Sequence, residues 1–462
     1  MPLTFSVVIP AYNQAEFLGE AIDSVLAQTY PHFELIVVND ASPDNTEEVV
    51  KSYTDPRIKY IRHAQNKGLP ATRNTGMRAA TGDCIALLDS DDYFHPEKLA
   101  VHAAFLEQHP EVGVSYNGRF DLHYSDTTIR GMMRPPMTVG LRDFLFGYPF
   151  TPSDMVIRKS VIQLAGYFDE TFRHGGEDME YPATLALAGC RFASVNRSLN
   201  YRRHHSGRYR KNLDDRLLDV QRALQKIYLD PRCPEEFRQL GELPLTEHYI
   251  VLIYHAFIQD RTKDGQQFFE QLLAFNPGVI SGDPCQMVAY FAGNSVADEK
   301  DDHEIILRKL FAQMPDLEEP IGDQLDWAIR EGYLIKGVRA AIWNRQAIAH
   351  NHFQKAAEVG AVFDEALLKK VAHQLLDYEI EMSDLDQQTA ASRLFPHIRA
   401  LSRNDTYRLF MGELGAKRAF ENYHRQKYGQ VHRNIYQAIK NDPHFLLNRG
   451  IYALFLRSFL KR

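Results

Sequence analysis

Residues 84–92 read Cys84-Ile85-Ala86-Leu87-Leu88-Asp89-Ser90-Asp91-Asp92, and no other stretch leaves the chain so little choice. Five apolar residues in a row, bounded by turn formers, fit a strand buried on both faces, as in the middle of a parallel sheet. Three carboxylates within four positions cannot share that dry interior, so they must sit where the strand emerges. In open α/β sheets the crevice beyond the strands' carboxyl ends is where ligands bind. Acids spaced Asp-x-Asp at such an end suit a hard divalent cation, Mg2+ or Mn2+, that bridges to substrate phosphates. Taken alone, the same acids would equally form a solvated turn ahead of a helix beginning near Pro96.

The surrounding pattern supports the sheet. Across the first ~110 residues, short β-branched runs alternate with helical periodicity. Strands are expected at 5–10, 33–38, 58–61 and 84–88, and helices at 15–28, 69–80 and 96–109, with one more opened by Ser42-Pro43-Asp44-Asn45. Phe17, Leu18, Ile22, Val25 and Leu26 share the apolar face of the first helix. Repeated βα units with short loops imply a mainly parallel, doubly wound sheet with right-handed crossovers. Three polar clusters then meet on one edge: Pro10-Ala11-Tyr12-Asn13, Asn39-Asp40-Ala41-Ser42 and Asp89-Ser90-Asp91-Asp92. Asp40 can accept hydrogen bonds from a ribose or a base imide, and Tyr12 can stack on a base. Gly68 starts the helix that holds Arg73 one turn in, where a guanidinium can meet a neighbouring carboxylate or a phosphate. Neither a Gly-x-Gly-x-x-Gly run nor a Walker loop is present, against dinucleotide and P-loop readings.

Composition narrows the class further. The chain has 462 residues, 44% of them hydrophobic and 24% charged, with a formal net charge of −7. The length calls for two or three domains, and the acidic balance argues against a nucleic-acid partner. The cysteines Cys84, Cys190, Cys233 and Cys285 are far apart, so neither a zinc site nor a disulfide framework is indicated. No basic leader with a cleavage site precedes the first strand, and no uncharged apolar run approaches ~18 residues. A cytoplasmic protein is expected.

Four segments carry a resemblance: Ser6-Val7-Val8-Ile9-Pro10-Ala11-Tyr12-Asn13, Val37-Val38-Asn39-Asp40-Ala41-Ser42, Asn66-Lys67-Gly68-Leu69-Pro70-Ala71-Thr72-Arg73-Asn74-Thr75-Gly76 and Leu87-Leu88-Asp89-Ser90-Asp91-Asp92. In this order and spacing the chain resembles glycosyltransferase family 2 over about its first 210 residues. That resemblance implies a GT-A fold, a Rossmann-like doubly wound sheet, and inverting transfer from a nucleotide-diphospho-sugar. Asp40 would then bind the nucleotide base, Asp89 would lie nearer the ribose, and Asp91 would be the direct metal ligand. Pro10, Ala11, Tyr12, Asn13, Gly68, Arg73 and Ser90 would complete the nucleotide site. The family's Glu-Asp motif falls on Glu177 and Asp178, its second acid being the general base. Its Arg-x-His stretch falls on Arg202-Arg203-His204, with Arg202 near phosphate and His204 as a third metal ligand. Asp154 departs from the pattern, which has a small uncharged residue at its place. The Gln-x-x-Arg-Trp signature of processive synthases is absent, so transfer of one or a few sugars is expected.

The chemistry of these residue types agrees. A sugar hydroxyl is a poor nucleophile and needs a base within hydrogen-bond reach, opposite the departing diphosphate. The donor expected is a UDP-sugar and the acceptor a saccharide or lipid-linked saccharide, in polysaccharide or glycoconjugate biosynthesis. A hexosyl- or N-acetylhexosaminyltransferase is the reading, with a divalent metal, Mn2+ or Mg2+. The rivals are a sugar nucleotidyltransferase, which would show a basic glycine-rich loop after the first strand, and a non-catalytic binding module.

Beyond the first domain, taken as 1–213, the pattern turns wholly helical, and 214–462 reads as a degenerate repeat-like domain. Ala256, Gly265, Phe269 and Pro277 are spaced much as in tetratricopeptide-like helix pairs, and 347–360 with 364–376 hints at another. Such pairs bind protein partners or brace a catalytic domain. Near the end, Ile451, Tyr452, Phe455, Leu456, Phe459 and Leu460 are expected to share one face, with Arg457, Ser458, Lys461 and Arg462 opposite. That face either packs on the helical domain, the preferred reading, or lies on an anionic membrane, which would be the inner face of the plasma membrane.

Overall fold

The structure is a computed structural model that describes residues 2–123, 129–204, 213–297, 301–315, 321–381, 384–424 and 427–460. It opens with alternating strands and helices: β1 (Phe5–Ala11), α1 (Ala15–Leu26), β2 (Phe33–Asn39), α2 (Thr46–Lys51), β3 (Ile58–Arg62), α3 (Leu69–Ala79), β4 (Cys84–Leu87), β5 (Tyr93–Phe94) and α4 (Lys98–Gln108). Then follow β6 (Val114–His123), β7 (Ile129–Met133), α5 (Leu141–Phe146), β8 (Met155–Arg158), α6 (Lys159–Ala165), α7 (Glu177–Leu187), β9 (Phe192–His204) and α8 (Leu213–Leu229). Among the described residues one sheet runs β3-β2-β1-β4-β8-β6-β9-β5, with β7 added to β6.

The sheet is mainly parallel where the apolar runs are continuous. β1 pairs parallel with both β2 and β4, and β2 with β3. Phe5 through Ala11 and Cys84 through Leu87 are buried along their whole length, because α1 and α4 cover one face and α3 the other. Beyond β4 the order becomes mixed. β8 is antiparallel to β4 and β6, whereas β6 and β9 run parallel. The strand order reverses beside β1, which opens a crevice where β1, β2 and β4 end.

Local details differ from expectation for identifiable reasons. The second helix begins at Thr46 and not at Pro43, since Asp44 turns the chain by accepting from Thr46 N at 3.1 Å and Thr46 Oγ1 at 2.6 Å. Phe17 is not on the inner face of α1, which is made by Ala15, Leu18, Ala21, Ile22 and Val25. It lies instead under the Arg203 guanidinium, 5.0 Å from its ring centre.

The chain forms two compact units, Met1–Gly282 with Ala312–Asp316, and Asp283–Phe311 with Leu317–Arg462. Sheet gives way to helix between β9 and α8, while the units divide only at Gly282. The helices Thr246–Ile258 and Thr262–Phe275 therefore belong to the first unit and pair as the spacing suggests. Gly265 permits their approach, since a Cβ there would come within 2.3 Å of the Phe257 ring. In the second unit, Gln346–Glu358 packs on Leu325–Ile342, with Phe353 against Gly337, while Glu365–Glu381 packs on Asn404–His424. The pairing expected between 347–360 and 364–376 is thus replaced by two others. The final helix, Arg449–Leu460, divides its apolar residues between two faces. Ile451 and Leu454 turn inward onto Ala416, Ala419, Val431, Ile435 and Ala438, while Tyr452, Phe455 and Leu456 are exposed. A rotation of about 100° per residue cannot hold 451, 452, 455 and 456 on one narrow stripe. The side chains of Phe459 and Leu460, and residues Lys461 and Arg462, lie outside the described residues.

Candidate functional site

Three loops meet at the crevice, and side chains tie them together. After β1, Asn13 adopts a left-handed conformation with φ 53°, and its N–H donates to Ser42 Oγ at 2.7 Å. Asp40 N donates to Ala11 O at 3.0 Å, so Pro10, Ala11, Tyr12 and Asn13 lie beside the end of β2. Tyr12 is exposed there. Ser90 Oγ donates to Gln14 Oε1, which joins the β1 loop to the acidic loop after β4.

Asp40 is buried and holds the chain that leads into α3. Its Oδ1 accepts from Lys67 N at 2.8 Å and its Oδ2 from Gly68 N at 2.8 Å. His63 Nδ1 lies 2.7 Å from Oδ1, and since a carboxylate there can only accept, Nδ1 carries the proton. His63 Nε2 reaches Thr75 Oγ1 at 2.9 Å. A carboxylate has about four acceptor positions, and three are used here. His63 carried no signal in the sequence, because its only special property is the partner that β2 provides.

Arg73 occupies the centre of the site. It is buried in the first turns of α3, and it bridges two acidic clusters. Nη2 donates to Asp89 Oδ1 at 2.9 Å and Nη1 to Asp178 Oδ1 at 3.2 Å, with Glu177 Oε1 at 3.5 Å from Nη1. The Phe168 ring lies 5.4 Å from its carbon centre, and buried Nε finds no hydrogen-bond partner. Neighbouring Asn74 fixes that ring's segment, donating to Phe168 O at 2.8 Å and accepting from Phe168 N at 3.0 Å.

Glu177 and Asp178 open α7, at the N-terminal end where a helix favours negative charge. Gly176 precedes them with φ 88°, and a Cβ there would come within 2.8 Å of Asp219 O. Asp219, on α8, also takes the N–H groups of Arg173 and His174 at 2.9 and 2.8 Å. The two acids differ in access, with 10% of the Glu177 side chain exposed against 31% for Asp178. Burial pushes the Glu177 carboxyl up to about 7, helped by the charge of Asp178 and opposed by Arg73. The geometry therefore sets a buried acid of raised pKa beside a more accessible one.

The acidic loop after β4 is held from below. Asp89 N donates to Ser153 Oγ at 3.0 Å. Arg203, on β9, donates from Nη1 to Asp91 O at 2.8 Å and from its backbone to Asp92 Oδ1 at 3.2 Å, and it pairs with Glu20. Arg202, one residue earlier, faces the other way and binds Asp121 Oδ1 at 3.1 Å. The expectation that Arg202 returns to the nucleotide thus meets a strand alternation that brings Arg203 to the acidic loop. The His204 side chain lies outside the described residues.

Beneath the loop is a buried polar network that the sequence pattern did not announce. Lys98 Nζ donates to Asn117 Oδ1 at 2.9 Å, Ser153 O at 2.7 Å and Asn200 Oδ1 at 2.8 Å. Burial pulls its ammonium down to about 7 against the charges of Asp154 and Asp92. Asp154, the residue that departs from the expected pattern, is fully buried. It accepts from Arg119 Nη1 at 3.0 Å, Thr151 N at 2.8 Å and Asn200 Nδ2 at 2.9 Å. Its charge is matched within the fold by Arg119.

The donor set can be tested for a divalent cation. Among the described residues no group of three or more His, Cys, Asp or Glu side chains is placed to hold one. A hard cation that bridges to substrate phosphates needs only one or two carboxylates from the protein. Asp89 and Asp91 meet that need in chemistry, being oxygen donors two residues apart at a strand end, although one Asp89 oxygen is engaged by Arg73. The residues fit a cation completed by substrate oxygens and water, and not one caged by protein alone.

The family model described as "Glycosyl transferase family 2" matches residues 6–163. The putative glycosyltransferase EpsE of Bacillus subtilis is 31% identical over 233 residues, 48% of this chain and 83% of that protein. An uncharacterized glycosyltransferase of Rickettsia felis is 42% identical over 104 residues, and the match spans 17% of that protein's length. The Escherichia coli UDP-Glc:alpha-D-GlcNAc-diphosphoundecaprenol beta-1,3-glucosyltransferase WfgD is 40% identical over 101 residues, 22% of this chain and 40% of that protein. Among solved structures, S. aureus TarS 1–349 in complex with UDP-GlcNAc is 17% identical, covers 78% of this chain and 93% of that one, and has a TM-score of 0.42. The Pyrobaculum calidifontis mannosyltransferase PcManGT in complex with GDP-Man and Mn2+ is 18% identical, covers 68% of this chain and 86% of that one, and has a TM-score of 0.42. With the family model matched over the four sequence segments and EpsE matched along most of its length, the chain belongs to glycosyltransferase family 2.

Proposed function

We propose that this glycosyltransferase moves a sugar, with inversion, from a nucleotide-diphospho-sugar to a saccharide or lipid-linked saccharide acceptor. A UDP-sugar is the donor we favour, since WfgD is named for UDP-Glc and TarS was solved with UDP-GlcNAc. The observation that carries the reading is the Arg73 bridge. One buried guanidinium touches Asp89 at the end of β4 and both acids at the start of α7. Donor and acceptor sites joined this closely suit single displacement, in which nucleophile and leaving group act on opposite faces of one carbon.

In this reading Asp40 accepts a hydrogen bond from the base through the position its three internal donors leave, and Tyr12 stacks on the ring. Asp91, with Asp89, holds a divalent cation. When bound, that cation neutralises charge on the departing diphosphate. Arg73 keeps Asp89 in place and offers a fixed positive charge to the same end of the reaction. Asp178, the more exposed acid, takes the proton from the acceptor hydroxyl. Glu177, its carboxyl raised to about 7, carries only part of a charge near neutral pH and so lightens the charge beside Asp178.

The test is nucleoside diphosphate release from a panel of sugar nucleotides with Mn2+, with the product's anomeric configuration read by NMR. A configuration opposite to the donor's is expected. A retained configuration would refute single displacement, and pyrophosphate release from a nucleoside triphosphate and a sugar phosphate would point to a nucleotidyltransferase.

A further inference from the structure

Residues 432–460 carry a surface that the transfer reaction does not use. In a chain of formal net charge −7, the sequence over 432–462 holds Arg433, Lys440, Arg449, Arg457, Lys461 and Arg462 against one acid, Asp442. That acid is turned to local use, accepting from His444 N at 3.0 Å. The last helix is firmly seated. Asn448 caps it, accepting from Ile451 N at 3.1 Å. Ile451 and Leu454 fill the core of the unit, and Ser458 Oγ lies 2.7 Å from His432 Nε2. The inward face is therefore complete without the outward one.

The outward face is apolar where solvation should have made it polar. Leu456 is 62% exposed and Tyr452 52%, and at about 100° per residue they share a sector with Arg449 and Ala453. Just before the cap, Leu446 and Leu447 are exposed as well, Leu447 to 83%. Phe420, from the preceding long helix, approaches Gly450 and adds to its border. Scattered exposed leucines mean little, but apolar side chains exposed beside a cation on one helix face do.

We propose that this face is a membrane-contact surface that takes the headgroup layer of an anionic bilayer. Leu446, Leu447, Tyr452 and Leu456 would enter the interface, and Arg449 and Arg457 would meet lipid phosphates. Charge complementarity selects this occupant. An anionic leaflet attracts the basic border while the rest of the protein, net acidic, is repelled and kept in water. A second copy of the chain fits less well, because a two-fold contact would set like-charged borders against each other. The proposal does not depend on the donor or acceptor chosen above.

The experiment is sedimentation of the full-length protein with vesicles of phosphatidylcholine alone, or with about one third phosphatidylglycerol. Binding to the anionic vesicles is expected, with release as ionic strength rises beyond about 0.5 M. Each cation near such a surface contributes about fivefold to partitioning, so the double variant R449Q/R457Q should bind about 25-fold less tightly. The double variant L447S/L456S should lose at least about tenfold, while its melting temperature, checked in parallel, stays with the parent because both side chains are already exposed. Absence of parent binding to anionic vesicles would overturn the proposal, as would either variant binding like the parent. A dimer of the parent that L447S/L456S dissociates would overturn it too, by giving the face to a second copy.

Discussion

At the scale of single residues, function turns on charges that have partners in the fold. Asp178→Asn removes the proposed base while keeping its shape, and it is expected to lower kcat by at least about 100-fold with donor affinity nearly unchanged. Single-turnover kinetics beside nucleotide titration separates the two quantities. Asp91→Asn should instead abolish the gain in UDP affinity that Mn2+ confers, read by calorimetric titration with and without the metal. Equal affinities in the parent and variant with Mn2+ would remove Asp91 from the cation site. Glu177 gives a prediction of a different kind. Burial raises its folded-state pKa from the ordinary 4.5 to about 7. The folded protein therefore binds more protons than the unfolded one between these values, and stability falls as pH rises through the window. Glu177→Gln should flatten that fall. Denaturant midpoints at about pH 5 and about pH 8, compared between parent and variant, measure it.

At the scale of elements, Lys98 shows what the sequence could not display. From position alone it is a charged residue in the first turn of a helix, where lysine is ordinarily solvated. It is buried because three oxygens, from β6, β9 and the 152–154 turn, converge on its ammonium. Lys98→Met would take a donor from each of them, leaving Asn117 Oδ1 with His102 Nε2 and Ser153 O with Asn200 Nδ2 but Asn200 Oδ1 without its ammonium partner, and should cost about 2–4 kcal/mol, visible as a lower melting temperature of the first unit. Elements whose cause is local were legible in advance. β1, β2 and β4 are continuous apolar runs, and α1 and α3 have helical periodicity with clear ends. The acidic cluster was legible as the end of β4, but its burial was not: Asp91 and Asp92 are 5% and 4% exposed, enclosed where Arg203 holds Asp91 O and Asp92 Oδ1. The return of β8 between β4 and β6 was not legible either, because antiparallel pairing is decided by partners about 70 residues away. The choice between Arg202 and Arg203 was hidden likewise. It depends on which face of β9 meets Asp91 and Asp92, 112 and 111 residues earlier in the chain.

At the scale of the whole molecule, two compact units imply two cooperative blocks. Scanning calorimetry should resolve two transitions. Saturating UDP with Mn2+, at about 100 times its dissociation constant, should add about 2.7 kcal/mol to the stability of the unit that contains β1, β2 and β4. The other transition should stay where it was, and a shift of both by the same amount would contradict independent blocks. The Arg73 bridge carries its own consequence for the complete reaction. Because one cation serves an acid on each side, the proposed donor and acceptor sites would be thermodynamically linked. Whatever neutralises Asp89 releases Arg73 toward Asp178, and whatever neutralises Asp178 releases it toward Asp89. By reciprocity, donor must change acceptor affinity by the same factor by which acceptor changes donor affinity. Arg73→Lys cannot hold both acids with one planar fork, so it should shrink that factor more than it weakens either substrate alone. In the proposed reading the coupling between the two substrates thus rests on a single side chain, whichever of them arrives first.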